Sequence, residues 1–135
     1  MPDMTLIDLS RYRLAKAADM LETARRDISA EDYASANNRA YYCIFHAMRA
    51  VIALDGEAYK KHSAVIARFA INYLKTDILP RDYSKLIANA SLIRNRSDYE
   101  DFYICSVEDT QMLVAGAADF LHSVHAYLHQ RYAEA

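Results

Sequence analysis

Apolar positions recur at spacings of three and four along most of the chain, the period of one helix face. Over residues ~5–28, Leu14, Ala17, Leu21, Ala24 and Ile28 share a face, while Glu22 and Arg26 stand one turn apart on the wetter side. Ser29 followed by Asp32 has the spacing of a capping box with Asp in place of Glu, so a second helix is predicted from about Ala30 to Leu54. Its Tyr33, Ala36, Ala40, Ala47 and Leu54 form one stripe. A second face carries Asn38, Tyr42, Phe45 and Arg49, with His46 beside it. Apolar groups nearly all round mark a central helix, covered on both sides by the bundle or on one side by another subunit. Asp55-Gly56 ends it, glycine suiting the left-handed position after a helix.

Beyond the basic connection Lys60-Lys61-His62, a third helix shows Val65, Ile66, Phe69, Ala70, Tyr73 and Leu74 inward. Lys75 to Pro80 breaks it, with Pro80 placed as the first residue of a fourth helix that runs to about Arg96. Tyr83, Ile87, Ala90 and Arg94 lie on one line of that helix, so Arg94 continues an apolar face. Ser106 with Asp109 is another capping box, opening a fifth helix over ~107–132. There Val107, Thr110, Val114, Ala117, Leu121, Val124 and Leu128 keep a strict three-four spacing, the seam of a helix lying lengthwise along its neighbours. No repeat or linker interrupts the pattern. The fold class expected is all-α: a single domain over 1–135, a five-helix bundle with up-down packing.

Composition supports this. Two glycines and two prolines leave little room for the turns of an all-β fold. Hydrophobic residues at 53% and charged residues at 25% are globular proportions. Eleven tyrosines and no tryptophan put many amphipathic rings at helix boundaries, clefts or interfaces. The net charge of −2 gives no global attraction to nucleic acid, so any RNA contact needs a local basic patch. Cys43 and Cys105 fit no metal or redox spacing and read as reduced thiols. The start, Met1-Pro2-Asp3-Met4, lacks a basic region followed by an apolar run, and no segment reaches the ~18 apolar residues of a membrane span. A soluble, cytoplasmic protein without a membrane association is expected.

The densest chemistry lies in Ile93 to Tyr103. Arg94 on a buried line needs a carboxylate, a phosphate or a second subunit beside it. Asp98, Glu100 and Asp101 are adjacent acids for a purely structural pair. Arg96, Tyr99 and Tyr103 add a second guanidinium and phenols that can stack on unpaired bases, or simply staple the loop to the bundle. Asn38, Tyr42, His46 and Arg49 can line a cleft, with His46 the one imidazole central to the bundle; a hydrogen-bonded core histidine is the plainer alternative. His122, His125 and His129 line up beside the seam of the last helix, but the few suitable ligands nearby point to no metal site. No nucleophile signature and no Gly-rich phosphate loop occur.

These segments together resemble the HEPN domain family. Arg39-Ala40-Tyr41-Tyr42-Cys43-Ile44-Phe45-His46-Ala47 is similar to the family's Ala-Tyr-Tyr-x-x-Phe-His segment, and Lys61-His62-Ser63-Ala64-Val65-Ile66 to the start of its third helix. Arg94-Asn95-Arg96-Ser97-Asp98-Tyr99, then Asp101-Phe102-Tyr103, resembles the form seen in small stand-alone members. The resemblance implies an RNA- or nucleotide-binding component of a toxin–antitoxin or defence system. It also implies a homodimer without a cofactor, acting as a metal-independent ribonuclease or serving as an inactive partner of a minimal nucleotidyltransferase. In the nucleases an Arg binds the scissile phosphate and a His a few residues later does acid–base work. Here Arg94 and Asn95 match the start of that motif, but Asp98, Tyr99 and Glu100 follow where the His is expected. On this reading the catalytic set is Arg94, Asn95, Asp98 and Tyr99; the RNA- or nucleotide-binding set is Arg94, Arg96, Tyr103, Tyr42 and His46. His46 or His62 replaces the missing imidazole only if the fold brings one to this stretch. The family's modifiable Tyr, two places after the His, has no counterpart, since position 101 is Asp. A helical-repeat adaptor is a third reading, opposed by the lack of a second repeat.

Overall fold

The computed structural model describes residues 4–134; Met1-Pro2-Asp3 of the N-terminal stretch and Ala135 lie outside them. It contains α1 (Met4–Ser29), α2 (Tyr33–Ala53), α3 (His62–Phe69), α4 (Tyr83–Tyr99) and α5 (Val107–Ala133). α3 continues through one π-helical turn, Ala70–Leu74. The bundle is all-α, as its periodicity requires.

Pairings between helices fix the topology. Ser10 meets Ala50 and Arg13 meets Arg49, so α1 and α2 run antiparallel. Asn37 meets Ser97 and Tyr42 meets Arg94, which sets α4 antiparallel to α2. Ser10 also meets Tyr132, placing the end of α5 against the start of α1. α2 touches α1, α3, α4 and α5, and most of its residues are buried. The expectation of a central helix is met by these four neighbours within one chain. A layer of rings lies within the core: Phe120 is edge-on to Tyr83 at 4.9 Å and to Phe69 at 5.7 Å.

Several local expectations need correction. Ser29 does not cap α2; its hydroxyl donates to the Arg25 carbonyl within α1. Asp32 is the cap, accepting from the Ser35 amide at 3.2 Å, because Glu31 takes a left-handed φ of 61° and breaks the chain between the helices. Pro80 is not the first residue of α4. It sits in a preceding turn whose carbonyl accepts the Tyr83 amide, and Asp82 stands at the boundary. α4 also runs three residues past Arg96, since the i,i+4 pairs Arg94–Asp98 and Arg96–Glu100 sustain one more turn. Asp98 and Tyr99 are therefore helical rather than in a loop. The α5 seam begins at Thr110, with Val107 exposed, and it is widened by buried Leu113 and Phe120. The Ser106 cap holds, accepting from the Asp109 amide at 3.0 Å.

Gly56 has φ +73°, and the nearest atom to an added Cβ would be Leu6 Cδ1 at 3.9 Å. Space is available, so the cost of Gly56→Ala is the backbone conformation alone. A loss of about 1 kcal/mol is expected in urea unfolding, and an unchanged midpoint would contradict the left-handed assignment. Among the described residues no helix is long and apolar enough to cross a membrane, and Cys43 and Cys105 are both free thiols.

Candidate functional site

The antiparallel crossing of α2 and α4 brings the last turn of α4 against the first half of α2. Two neighbouring asparagines make the joint. Buried Asn37 donates to Ser97 Oγ at 3.3 Å, and Asn38 donates to Asp98 Oδ2 at 3.2 Å. An acid in the last turn of a helix opposes the helix dipole, so Asp98 depends on its partners, of which Asn38 is one. Arg94 is the other one: its Nε lies 3.2 Å from Asp98 Oδ2, in ion-pair range but not aligned for a hydrogen bond. The Arg94 side chain is 18% exposed.

Around this guanidinium the helices place rings. Its Cζ lies 5.2 Å from the Tyr41 ring, 5.5 Å from Tyr42 and 6.0 Å from Tyr99. It donates to the Tyr42 hydroxyl at 3.1 Å and to Asn95 Oδ1 at 3.2 Å. The aromatic faces and a single carboxylate solvate the cation without enclosing it. Tyr41 is pushed up by burial, with the Arg94 charge acting against that shift.

His62, at the start of α3, completes the cluster. Its ring stacks on Phe45 at 4.0 Å and on Tyr41 at 5.9 Å, and Tyr42 meets it edge-on at 5.8 Å. Nδ1 shares a hydrogen bond of 2.9 Å with the Tyr41 hydroxyl. Burial lowers its pKa, and the charges of Arg94 and Arg49 lower it further. The imidazole and Arg94 thus share Tyr41 and Tyr42 as common neighbours. Of the two histidines that sequence offered as replacements, His62 is the one drawn to Arg94. The sequence offers His62 only as a candidate; the tertiary fold is what spans the residues between it and Arg94.

His46 also neighbours Tyr42, with ring centroids 5.8 Å apart, and meets Phe45 at 5.9 Å. Its Nδ1 is buried without a hydrogen-bond partner among the described residues. Burial, then the positive charges of Lys16, Arg49 and Arg13, push its pKa down to about 4. His46 is therefore a neutral imidazole in a cationic setting, and it is not hydrogen-bonded in the way an ordinary core histidine is.

The remaining candidates divide. Asn95 and Tyr99 flank Arg94 from an exposed position. Arg96 and Tyr103 are not part of this cluster. Two residues along a helix turn the side chain to the far face, so Arg96 pairs with Glu100 and lies 4.3 Å above the Tyr103 ring, on the α5 side. Asp101 is exposed and forms no ion pair with Arg94 among the described residues. His122, His125 and His129 are all exposed; the rings of His125 and His129 stack at 5.9 Å. No group of three potential metal ligands occurs among the described residues.

The family model described as "HEPN domain" matches residues 10–127. The chain is 29% identical over 115 residues to "Putative toxin MJ0142" of Methanocaldococcus jannaschii, covering 85% of this chain and 78% of that one. It is 26% identical over 113 residues to a "UPF0332 protein" of Thermotoga maritima, covering 84% and 86% of the two chains. A third relative, "UPF0332 protein glr0978" of Gloeobacter violaceus, is 27% identical over 126 residues, covering 93% and 94%.

Proposed function

The chain belongs to the HEPN domain family, and from that premise we propose that it is a toxin-like HEPN protein that binds RNA at Arg94 and cleaves it as a homodimer without a metal ion. The observation that carries this reading is the Arg94 guanidinium itself, held among the rings of Tyr41, Tyr42 and Tyr99 beside His62. A phosphodiester between two nucleotides suits such a place: its oxygens meet the guanidinium, and the exposed Tyr99 ring offers a face on which a base can stack. Asn95 extends the polar edge from which the phosphate is oriented. Lys16, Arg49 and Arg13 add positive charge around His46, a local cationic group on a chain of net charge −2. The toxin designation of one relative agrees with an activity directed at cellular RNA.

The test uses the purified full chain with single-stranded RNA in the presence of EDTA. Wild type is expected to cleave, and Arg94→Ala to reduce the rate by about 100-fold or more, the usual effect of removing one preorganised donor from a transition state. The salt dependence of RNA binding should flatten in Arg94→Ala by about 0.7 in log–log slope, the release of one counterion from a single strand. Wild type inert on RNA, or a solution mass of one chain, overturns this reading.

A second reading has its own observation. Arg94 is already paired with Asp98, while Tyr99 is 74%, Phe102 96% and Ile104 89% exposed on the surface that follows. An inactive HEPN partner of a minimal nucleotidyltransferase would use those apolar side chains as a docking surface. Co-purification with such an enzyme, lost on Phe102→Ala, by a chain inert on RNA supports it over the first.

A further inference from the structure

We infer that His62, reaching the Arg94 cluster from the start of α3, is the proton-transfer group of this site and stands in for the imidazole missing from the Arg94 segment. The inference rests on the ribonuclease reading above.

Three observations meet at this side chain. First, its ring is fixed. Phe45 stacks on one side at 4.0 Å, and Tyr41 holds Nδ1 at 2.9 Å. When Nδ1–H donates to the Tyr41 oxygen, Nε2 carries the lone pair of a base, oriented by a second group as catalytic imidazoles are. Second, Nε2 has no hydrogen-bond partner among the described residues. His62 also lines an open cleft with Arg49, Tyr59 and Lys60, so the ring faces accessible space with cations at its rim. Third, Arg94 is a near neighbour: it and His62 contact the same two tyrosine rings, and its charge acts on the imidazole. His46 lacks these features: its Nδ1 is buried without a partner among the described residues, and of the two tyrosines only Tyr42 meets its ring.

The chemistry is a transesterification. Nε2 takes the proton of a ribose 2′-hydroxyl as the 2′-oxygen bonds to phosphorus. The P–O5′ bond breaks, its electron pair stays on O5′, and water protonates that oxygen. The resulting hydroxide takes the proton from the imidazolium. The products are a 2′,3′-cyclic phosphate and a 5′-hydroxyl, with Arg94 holding the phosphoryl oxygens. Lys60 and Arg49 at the cleft take the phosphate of an adjoining nucleotide, so the substrate is a polynucleotide rather than a single nucleotide.

The groups facing His62 are Arg94 from α4, Tyr41, Tyr42, His46 and Arg49 from α2, and Lys60 from the connection before α3. Burial and the cationic members favour the neutral ring, the form a base needs. The acid limb of kcat/KM is therefore expected below pH ~6.5, the ordinary histidine value.

The experiment compares wild type, His62→Ala, His62→Gln and Arg94→Ala on a single-stranded RNA, with end-group analysis and a pH profile. His62→Gln keeps a polar partner for Tyr41 and serves if the alanine variant unfolds. Both His62 variants are expected to lose about 100-fold or more in kcat, to bind RNA within a few-fold of wild type, and to lose the acid limb. Added imidazole should restore part of the rate to His62→Ala. Wild-type-like cleavage by both His62 variants while Arg94→Ala is inert removes the role of His62 and leaves the ribonuclease reading standing. A slow variant with an unchanged pH profile and no imidazole rescue assigns His62 a structural part and overturns the inference. A wild type that cleaves nothing removes both.

Discussion

Replacing Phe120 with alanine is expected to lower the unfolding free energy by about 3–5 kcal/mol, the usual cost of truncating a buried aromatic side chain. Phe120 is fully buried on α5 and touches the rings of Tyr83 on α4 and Phe69 on α3. Three elements lose contact at once, and those rings cannot all collapse into the cavity because Tyr83 is tied to Ser123 at 2.6 Å and to Asp119 at 2.9 Å. A domain of this size has about 5–15 kcal/mol in total, so the variant would stand near its unfolding threshold. In urea titrations the midpoint should fall with little change in slope. Phe120→Leu, which keeps most of the volume, should cost less than about 1.5 kcal/mol. Phe102→Ala, at a side chain almost wholly in solvent, should change stability by no more than about 0.5 kcal/mol. Equal losses for Phe120→Ala and Phe102→Ala would refute the layer of rings described above.

The second large effect is loss of stability on acidification, centred on His46. Its folded pKa of about 4 lies below the ordinary value of 6.5. The unfolded chain therefore binds the proton first, and folding excludes it. Stability from this group is full above pH 6.5, falls as the pH drops, and is spent by pH 4, where both states are protonated. The size is at most about 3 kcal/mol, reduced by partial solvent access. His62, shifted in the same direction, adds to the loss. His46→Gln, neutral at every pH, should remove most of the difference between urea midpoints at pH 7 and pH 4.5. A variant that loses as much as wild type over that interval would place the acid sensitivity elsewhere.

What the sequence made legible was whatever depends on near neighbours. The periodic faces located every helix, and Asp55-Gly56 and Ser106 marked their boundaries correctly. Local chemistry misled where two signals competed. Ser29 and Asp32 are both good caps, and the left-handed Glu31 between them decided for the second. The helical end of α4 was hidden because Asp98 and Glu100 look like loop acids until their pairing with Arg94 and Arg96 is seen. Once that turn is helical, the separation of Arg96 from Arg94 follows from geometry alone. The nearness of His62 to Arg94 had no local signal, because it depends on how α3 crosses α2. Nor did any residue pattern announce the π-helical turn after Phe69.

The pairing of Arg94 with Asp98 also bears on selectivity. The guanidinium already holds a carboxylate as placeholder, and that carboxylate is tethered to Asn38. In the RNA-binding role proposed above, a phosphate would compete with this carboxylate, and the free energy of binding would be the difference between two similar contacts. A lone phosphate or a small metabolite carboxylate gains little from such a swap. A strand that engages Arg49 and Lys60 in the same event gains on every further charge. In that role the built-in competitor would raise the threshold for occupancy and favour longer strands.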